Sequence, residues 1–173
     1  MSLHIIIDGY NLIRQSSFFS AFDRQDIQIG REALIEALAA YKRVKGHKIT
    51  VVFDGADAPL FSQARDQIKG IQARFSSSGQ SADDVIKSMA SKEKEKALVV
   101  SSDLDVVNWA SSKGCATVPS SEFEEKIAMA AHMDSKGIHQ DDQGGWVPTT
   151  KKKGPSRRLP KKKRRDRVKI QKL

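Results

Sequence analysis

Short, continuous apolar runs alternate along this chain with longer stretches whose apolar residues recur at helical spacing. HIIID (4–8), ITVVFD (49–54) and ALVVS (97–101) are unbroken runs, as expected of strands buried on both faces of a parallel sheet. IQARF (71–75) reads as a shorter strand and CATV (115–118) as a weak one. Ala33, Leu34, Ala37, Leu38, Tyr41 and Val44 share one face of a helix from about Gly30 to Lys45, with Gly46 as its stop. Ala82, Val85, Ile86, Met89 and Ala90 make a second stripe after Ser81. Leu104, Val107, Trp109 and Ala110 make a third, and Phe123, Ile127, Ala130 and Ala131 a fourth, within about 121–132. The segment 55–70 reads as a loop or a broken helix.

Strands that alternate with helices imply right-handed crossovers, and so an α/β fold: a three-layer α/β/α sandwich around a mostly parallel sheet. With the first and fourth strands adjacent at the switch point, the expected strand order is 3-2-1-4-5. After about Met133 the periodicity stops. Residues 1–133 are therefore expected to form the folded domain, 134–150 a polar, Gly-rich linker, and 151–173 a basic tail, disordered when unbound.

Charge sharpens that division. The net charge of +9 is unevenly spread: residues 151–173 carry 13 Lys and Arg against one acid, whereas 1–150 carry 17 against 20. A mildly acidic domain with a strongly basic tail points to nucleic acid or an anionic surface. The single cysteine, Cys115, excludes an intrachain disulfide framework, and its apolar neighbours suggest a core position. The first residues lack a basic start and reach Asp8 too soon for a signal peptide, and no stretch is apolar for long enough to cross a bilayer. A cytoplasmic protein without a membrane partner is expected.

The candidate chemistry lies in acids at the ends of apolar runs. Asp8 closes the first strand, Asp54 the second, and Asp103 follows the fourth; Asp83 and Asp84 open a helix. Parallel strands would gather these acids at the carboxyl edge of the sheet, where open α/β folds bind ligands. Clustered carboxylates there suit Mg²⁺ or Mn²⁺, and through the metal a phosphodiester. Each Asp can equally cap a helix or turn. Ser81 with Asp84 fits a capping box, which leaves Asp83 as the metal candidate of that pair. Asn11 and Ser102 lie beside Asp8 and Asp103, as polar partners of the site or as residues of the local turns. Arg14, Arg31, Arg65 and Arg74 are the available cations, but they define no substrate path by themselves.

In this order and spacing, IIIDGYNLI, VVFDG, SADD and VVSSDLD resemble the YacP-like NYN domains, bacterial relatives of the PIN-like nucleases, over about residues 3–133. The resemblance implies a PIN-like fold and a Mg²⁺- or Mn²⁺-dependent endoribonuclease acting on single-stranded or translated RNA. It matches Asp8, Asp83 and Asp103 to the acidic catalytic and metal centre, Asn11 to the asparagine beside it, and Asp105 to an accessory acid. Where the family commonly has T-A-D-E, this chain has Ser81-Ala82-Asp83-Asp84, keeping the hydroxyl and both acids. The implied role is mRNA turnover or ribosome-associated RNA processing, with RNA and the ribosome as candidate partners. The alternative is a non-catalytic RNA- or ribosome-binding module with a vestigial site. The tail lies outside the resemblance. Its Lys151, Lys152, Lys153, Arg157, Arg158, Lys161, Lys162, Lys163, Arg164 and Arg165 form an electrostatic tether for phosphate backbones, without an aromatic residue for base stacking.

Overall fold

A computed structural model describes residues 2–57, 65–135 and 160–173. Strands β1 (His4–Asp8), β2 (Lys48–Phe53), β3 (Arg65–Ile68), β4 (Ile71–Phe75), β5 (Ala97–Val100) and β6 (Ala116–Val118) form one sheet in the order β3-β4-β2-β1-β5-β6. The expected order of the five parallel strands is kept within it. Ile5–Ile7 run parallel to Ile49–Val51 on one side and Leu98–Val100 on the other. The addition is β3, antiparallel to β4, in the segment read from sequence as a loop or broken helix. Its hairpin turns through Lys69 and Gly70, both with positive φ. Two such residues twist in the sense that flanking strands need, but Lys lacks the Asn or Asp signature that advertises the turn.

Helices α1 (Gly9–Gln15), α2 (Ser17–Asp23), α3 (Ile27–Lys45), α4 (Ala82–Glu93), α5 (Leu104–Ser112), α6 (Ser120–Ser135) and α7 (Lys161–Gln171) complete the described fold. Strand alternation divides the core in two. Ile5, Ile7, Val51 and Phe53 face Leu34, Leu38, Tyr41 and Phe123 from α3 and α6, while Ile6, Val52 and Val99 face Val85, Ile86, Val106 and Ala110 from α4 and α5. The stripe read on α5 needs correction. Val106 and Ala110 are its buried residues, whereas Leu104 is 75% exposed and Trp109 carries the Lys113 ammonium over its ring. Ala131 likewise lies on the exposed side of α6.

Beside α4 the sheet is only partly covered. This helix packs over β1, β2 and β5, and β4, one strand in from the edge, forms the far wall of a groove next to it. Ile71 and Ala73 are buried on the α3 side of β4, while the intervening Gln72 and Arg74 line the groove.

The largest departure from the sequence reading is at the end of the chain. Residues 161–171, expected to be disordered, form α7, and this helix docks on the amino edge of the sheet. Ile170 and Leu173 join the core that includes Tyr41. The Tyr41 hydroxyl donates to Leu173 O at 3.0 Å, and His47 Nε2 lies 3.1 Å from Lys172 O. Arg165 grips Glu95 with both terminal nitrogens, and Lys162 donates to Ser111 O. Low-complexity composition hid an apolar anchor consisting of two residues. Among the described residues no helix is long and apolar enough to cross a membrane.

Candidate active site

Asp8 is the last residue of β1 and the N-cap of α1, where Oδ1 accepts the Asn11 backbone N–H at 3.2 Å. Only 7% of the residue is exposed. Its other oxygen accepts from the Ser101 hydroxyl at 3.3 Å, and Ser101 Oγ in turn accepts the Asp103 N–H at 3.1 Å. Asp103 caps α5, with Oδ1 accepting from Asp105 N at 2.8 Å and Val106 N at 3.4 Å. Both acids therefore perform the capping role weighed for them while still sharing a cleft. A cap consumes one face of a carboxylate and leaves acceptor capacity over.

Asp83 enters from the first turn of α4. Ser81 and Asp84 close a capping box there, with Ser81 N donating to Asp84 Oδ2 and Asp84 N to Ser81 Oγ, both at 3.1 Å. That employs Asp84 in structure and leaves Asp83 facing the cleft. The cleft, about 460 Å³, is lined by Asp8, Asp54, Asp83 and Asp103 together with Tyr10, Asn11, Arg14 and Ser81. Asp54 also caps its own turn, accepting from Ala56 N at 3.1 Å. Asp84 and Asp105 do not line it. Asp105 pairs with Lys87, tying α5 to α4.

The acids sense one another. Burial pushes the Asp8 carboxyl up to about 6, and the charges of Asp83 and Asp103 add to the rise, against the bonds from Asn11 and Ser101. Asp83 is raised as well, first by burial and then by Asp103, with Lys87 opposing. Two like charges in a partly dry cleft favour one proton, or a cation, between them.

Asn11 and Ser102 are braces. Asn11 Oδ1 accepts from Ser102 N at 2.9 Å and from the Ser120 hydroxyl at 2.7 Å, and Ser102 Oγ accepts from Ser120 N at 3.1 Å. The start of α1 is thus tied to the loop after β5 and to the start of α6. Ser101 and Ser120, both fully buried, are the contributors that sequence reasoning passed over. The signal for Ser101 was present in the paired serines before Asp103, but only strand register shows which of them meets Asp8.

Two glycines hold the acid-bearing turns close. A Cβ on Gly9 would come within 2.4 Å of the Phe53 ring, and one on Gly55 within 1.8 Å of Ser76 O. The Asp-Gly pairs thus set an acid beside a position with no room for a side chain.

Among the described residues no group of three His, Cys, Asp or Glu side chains is placed to hold a metal ion directly. Of the basic candidates, Arg14 lies in the cleft, with its guanidinium 5.5 Å from the Tyr10 ring centre. Arg31 is buried, donating to Tyr10 Oη at 2.8 Å and Gln28 Oε1 at 2.6 Å. Lys161, Lys163 and Arg164 are exposed on α7, where Lys162 and Arg165 serve as its clamps. Lys151, Lys152, Lys153, Arg157 and Arg158 lie outside the described residues.

Comparison with known proteins agrees with this architecture. The structure resembles the crystal structure of Rae1 (YacP) from Bacillus subtilis, with TM-score 0.66 and 21% identity over 80% of each chain. A tryptophan-to-leucine variant of that protein gives TM-score 0.64 and 19% identity, over 79% of this chain and 80% of that one. No curated protein sequence matches. The family model for the YacP-like NYN domain matches residues 5–171, well past the expected boundary near 133 and through α7. The chain belongs to the YacP-like NYN domain family.

Proposed function

We propose that this protein is a divalent-metal-dependent endoribonuclease of the cytoplasm, hydrolysing phosphodiester bonds of RNA in mRNA turnover or on the ribosome. The observation that carries the reading is the meeting of Asp8, Asp83 and Asp103 in one cleft, where burial and mutual repulsion raise two of them. Family membership supports it, since NYN domains are related to PIN-like nucleases.

Mg²⁺ and Mn²⁺ fit this donor set in a particular way. Mg²⁺ commonly retains waters and takes one or two carboxylates together with the substrate's phosphates, rather than an all-protein cage. Asp8, with Asp83 or Asp103 beside it, suits that mode, and among the described residues no three acids are already drawn together as a closed cage. When bound, the metal would supply charge neutralisation at the phosphate and an activated water. The chain's own residues orient and hold. Ser101 fixes the Asp8 carboxylate by donating to Oδ2, the α5 cap fixes Asp103, and Asn11 locks the two strand ends together. Asp54 is an additional acid at the rim, and Arg14 a cation placed for phosphate.

The test is a cleavage assay on single-stranded RNA with Mn²⁺ or Mg²⁺, beside Asp8→Asn, Asp103→Asn and an EDTA control. Metal-dependent cutting lost in both variants, with 5′-phosphate products, is expected. Products ending in 2′,3′-cyclic phosphate, or undiminished cutting in EDTA, would rule out the hydrolytic metal mechanism. RNA binding without cutting, on bare RNA and on translating ribosomes alike, would leave a binding module.

A further inference from the structure

The groove between α4 and β4 is the second concavity that bears on this chemistry. It measures about 310 Å³ and lies where α4, packed over β1, β2 and β5, leaves the side chains of β4 beside it. A doubly wound sheet normally buries apolar side chains on both faces, and here the residues beneath the groove are polar. His4 Nε2 lies 2.8 Å from Thr50 Oγ1, which donates to Gln72 Oε1 at 3.1 Å. Lys48, Arg74 and Lys92 line the groove, and Glu93, the one acid among its described lining residues, lies 3.2 Å from His4 Nδ1. Residues 1–150, which build this groove, carry 17 Lys and Arg against 20 acids, so a basic groove is not simply the average of its surroundings.

Its upper end adjoins the acidic cleft at the start of α4. Gln80 lines the groove, and the next residues, Ser81, Ala82 and Asp83, line the cleft. From there the groove follows α4, a helix of 12 residues and so about 18 Å long, down to Lys48 and Lys92.

We propose that this groove is the bed for the single-stranded RNA that leads to the scissile phosphate, with Lys48, Arg74 and Lys92 meeting its phosphates. The proposal rests on the nuclease reading and supplies the substrate path that the acids alone lack. Among the described residues the groove is lined by no Phe, Tyr or Trp. It therefore grips backbone rather than bases, with marked salt dependence and little sequence choice. Adjacency to the acids selects RNA over any other polyanion, because a phosphate chain lying in the groove and extended past Gln80 reaches a site able to cut it.

The test is fluorescence anisotropy of a labelled oligouridylate, with the full chain carrying Asp8→Asn to prevent cutting, across a KCl series. Combining Lys48→Gln, Arg74→Gln and Lys92→Gln is expected to weaken binding at least tenfold at low salt. The slope of log affinity against log salt should become shallower by about 2, at roughly 0.7 for each phosphate no longer neutralised. The double variant Lys48→Gln/Lys92→Gln changes two exposed side chains, and about two-thirds of that slope change is expected from it. A comparison set substitutes Gln for Lys161, Lys163, Arg164 and Arg167 on α7. If that set alone loses affinity while the groove variants bind like the parent, the proposal is overturned. Groove-dependent binding by a protein that never cuts would retain the groove and reject the nuclease. Cutting that is indifferent to the groove variants would do the reverse.

Discussion

Asp8 is the residue at which folding and chemistry conflict most. Buried and flanked by Asp83 and Asp103, its carboxyl is raised to about 6. A folded value above the unfolded one means that Asp8's stabilising contribution is complete below the ordinary carboxylate range and is lost as pH rises through about 6. In EDTA, Asp8→Asn should therefore be more stable than the parent at pH 8, by no more than about 2–3 kcal/mol, and the gap should close towards about pH 4. Urea melts at the two pH values check this, and a gap independent of pH would refute it. Added Mn²⁺ should raise the melting temperature of the parent at pH 8 and leave Asp8→Asn unmoved. His4 and His47 have the opposite sign: burial lowers both, so acidification below the usual histidine range destabilises the fold through them. Asn11 serves by accepting. Asn11→Ala leaves the Ser102 N–H without its acceptor and should cost about 1–3 kcal/mol. Asn11→Asp keeps an acceptor oxygen but adds a carboxylate to the acidic cleft, so it should recover most of that near pH 4 and less at pH 8 in the same melts. The acids themselves were legible at this scale, because a strand-end Asp is a sequence-local event. Ser101 was not, because its role depends on standing beside Asp8 across two strands.

Among the elements, the acid-bearing turns and the start of α4 are the sensitive points. Gly55→Ala places a methyl against the Ser76 carbonyl, which is backbone and cannot swing aside. A loss of at least about 1–3 kcal/mol, the usual range for overpacking, is expected. Because the turn that carries Asp54 must shift, a fall in Mn²⁺-dependent cleavage should accompany it. Gly9→Ala meets the Phe53 ring first and Val52 O only at 3.0 Å, against 1.8 Å to backbone at Gly55, and should cost less; the reverse ranking in thermal melts would show that the ring is the stiffer neighbour. Ser81→Ala removes the cap of α4 and should cost about 1 kcal/mol, with Ser81→Thr largely neutral. The main strands were readable because a buried parallel strand is a continuous apolar run. The β3–β4 hairpin was not, since Lys69 takes a positive φ that its side chain does not favour and its sequence does not signal. The stripe assigned to α5 failed at Leu104 because the periodic pattern shows which residues share a face, not where cover ends.

For the molecule as a whole, α7 changes the meaning of the basic tail. Its docking residues lie at the amino edge of the strands, near Glu95, Ser111 and His47, and the acids lie at the carboxyl edge. Truncation before residue 160 should therefore lower the melting temperature by several degrees, since it strips Ile170 and Leu173 from the core and the acceptor from the Tyr41 hydroxyl. Gln at Lys161, Lys163, Arg164 and Arg167 should leave that temperature unchanged. A truncated protein that melts like the parent would mean that α7 contributes no stability. The comparison matters because deletion alone would confuse a missing tether with a loosened domain.

The sequence by itself determined the α/β class, the relative order of the five parallel strands, the acid that ends each motif and the family these motifs mark. All of these are written in local patterns: apolar runs, helical stripes, and caps within a few residues of what they cap. Tertiary structure alone decided that Ser101 holds Asp8, that a basic groove remains between α4 and β4, and that a helix of mostly Lys and Arg docks through two apolar residues. Those outcomes depend on register and on covering by distant segments, and a one-dimensional pattern shows what is available for burial without showing what comes to cover it.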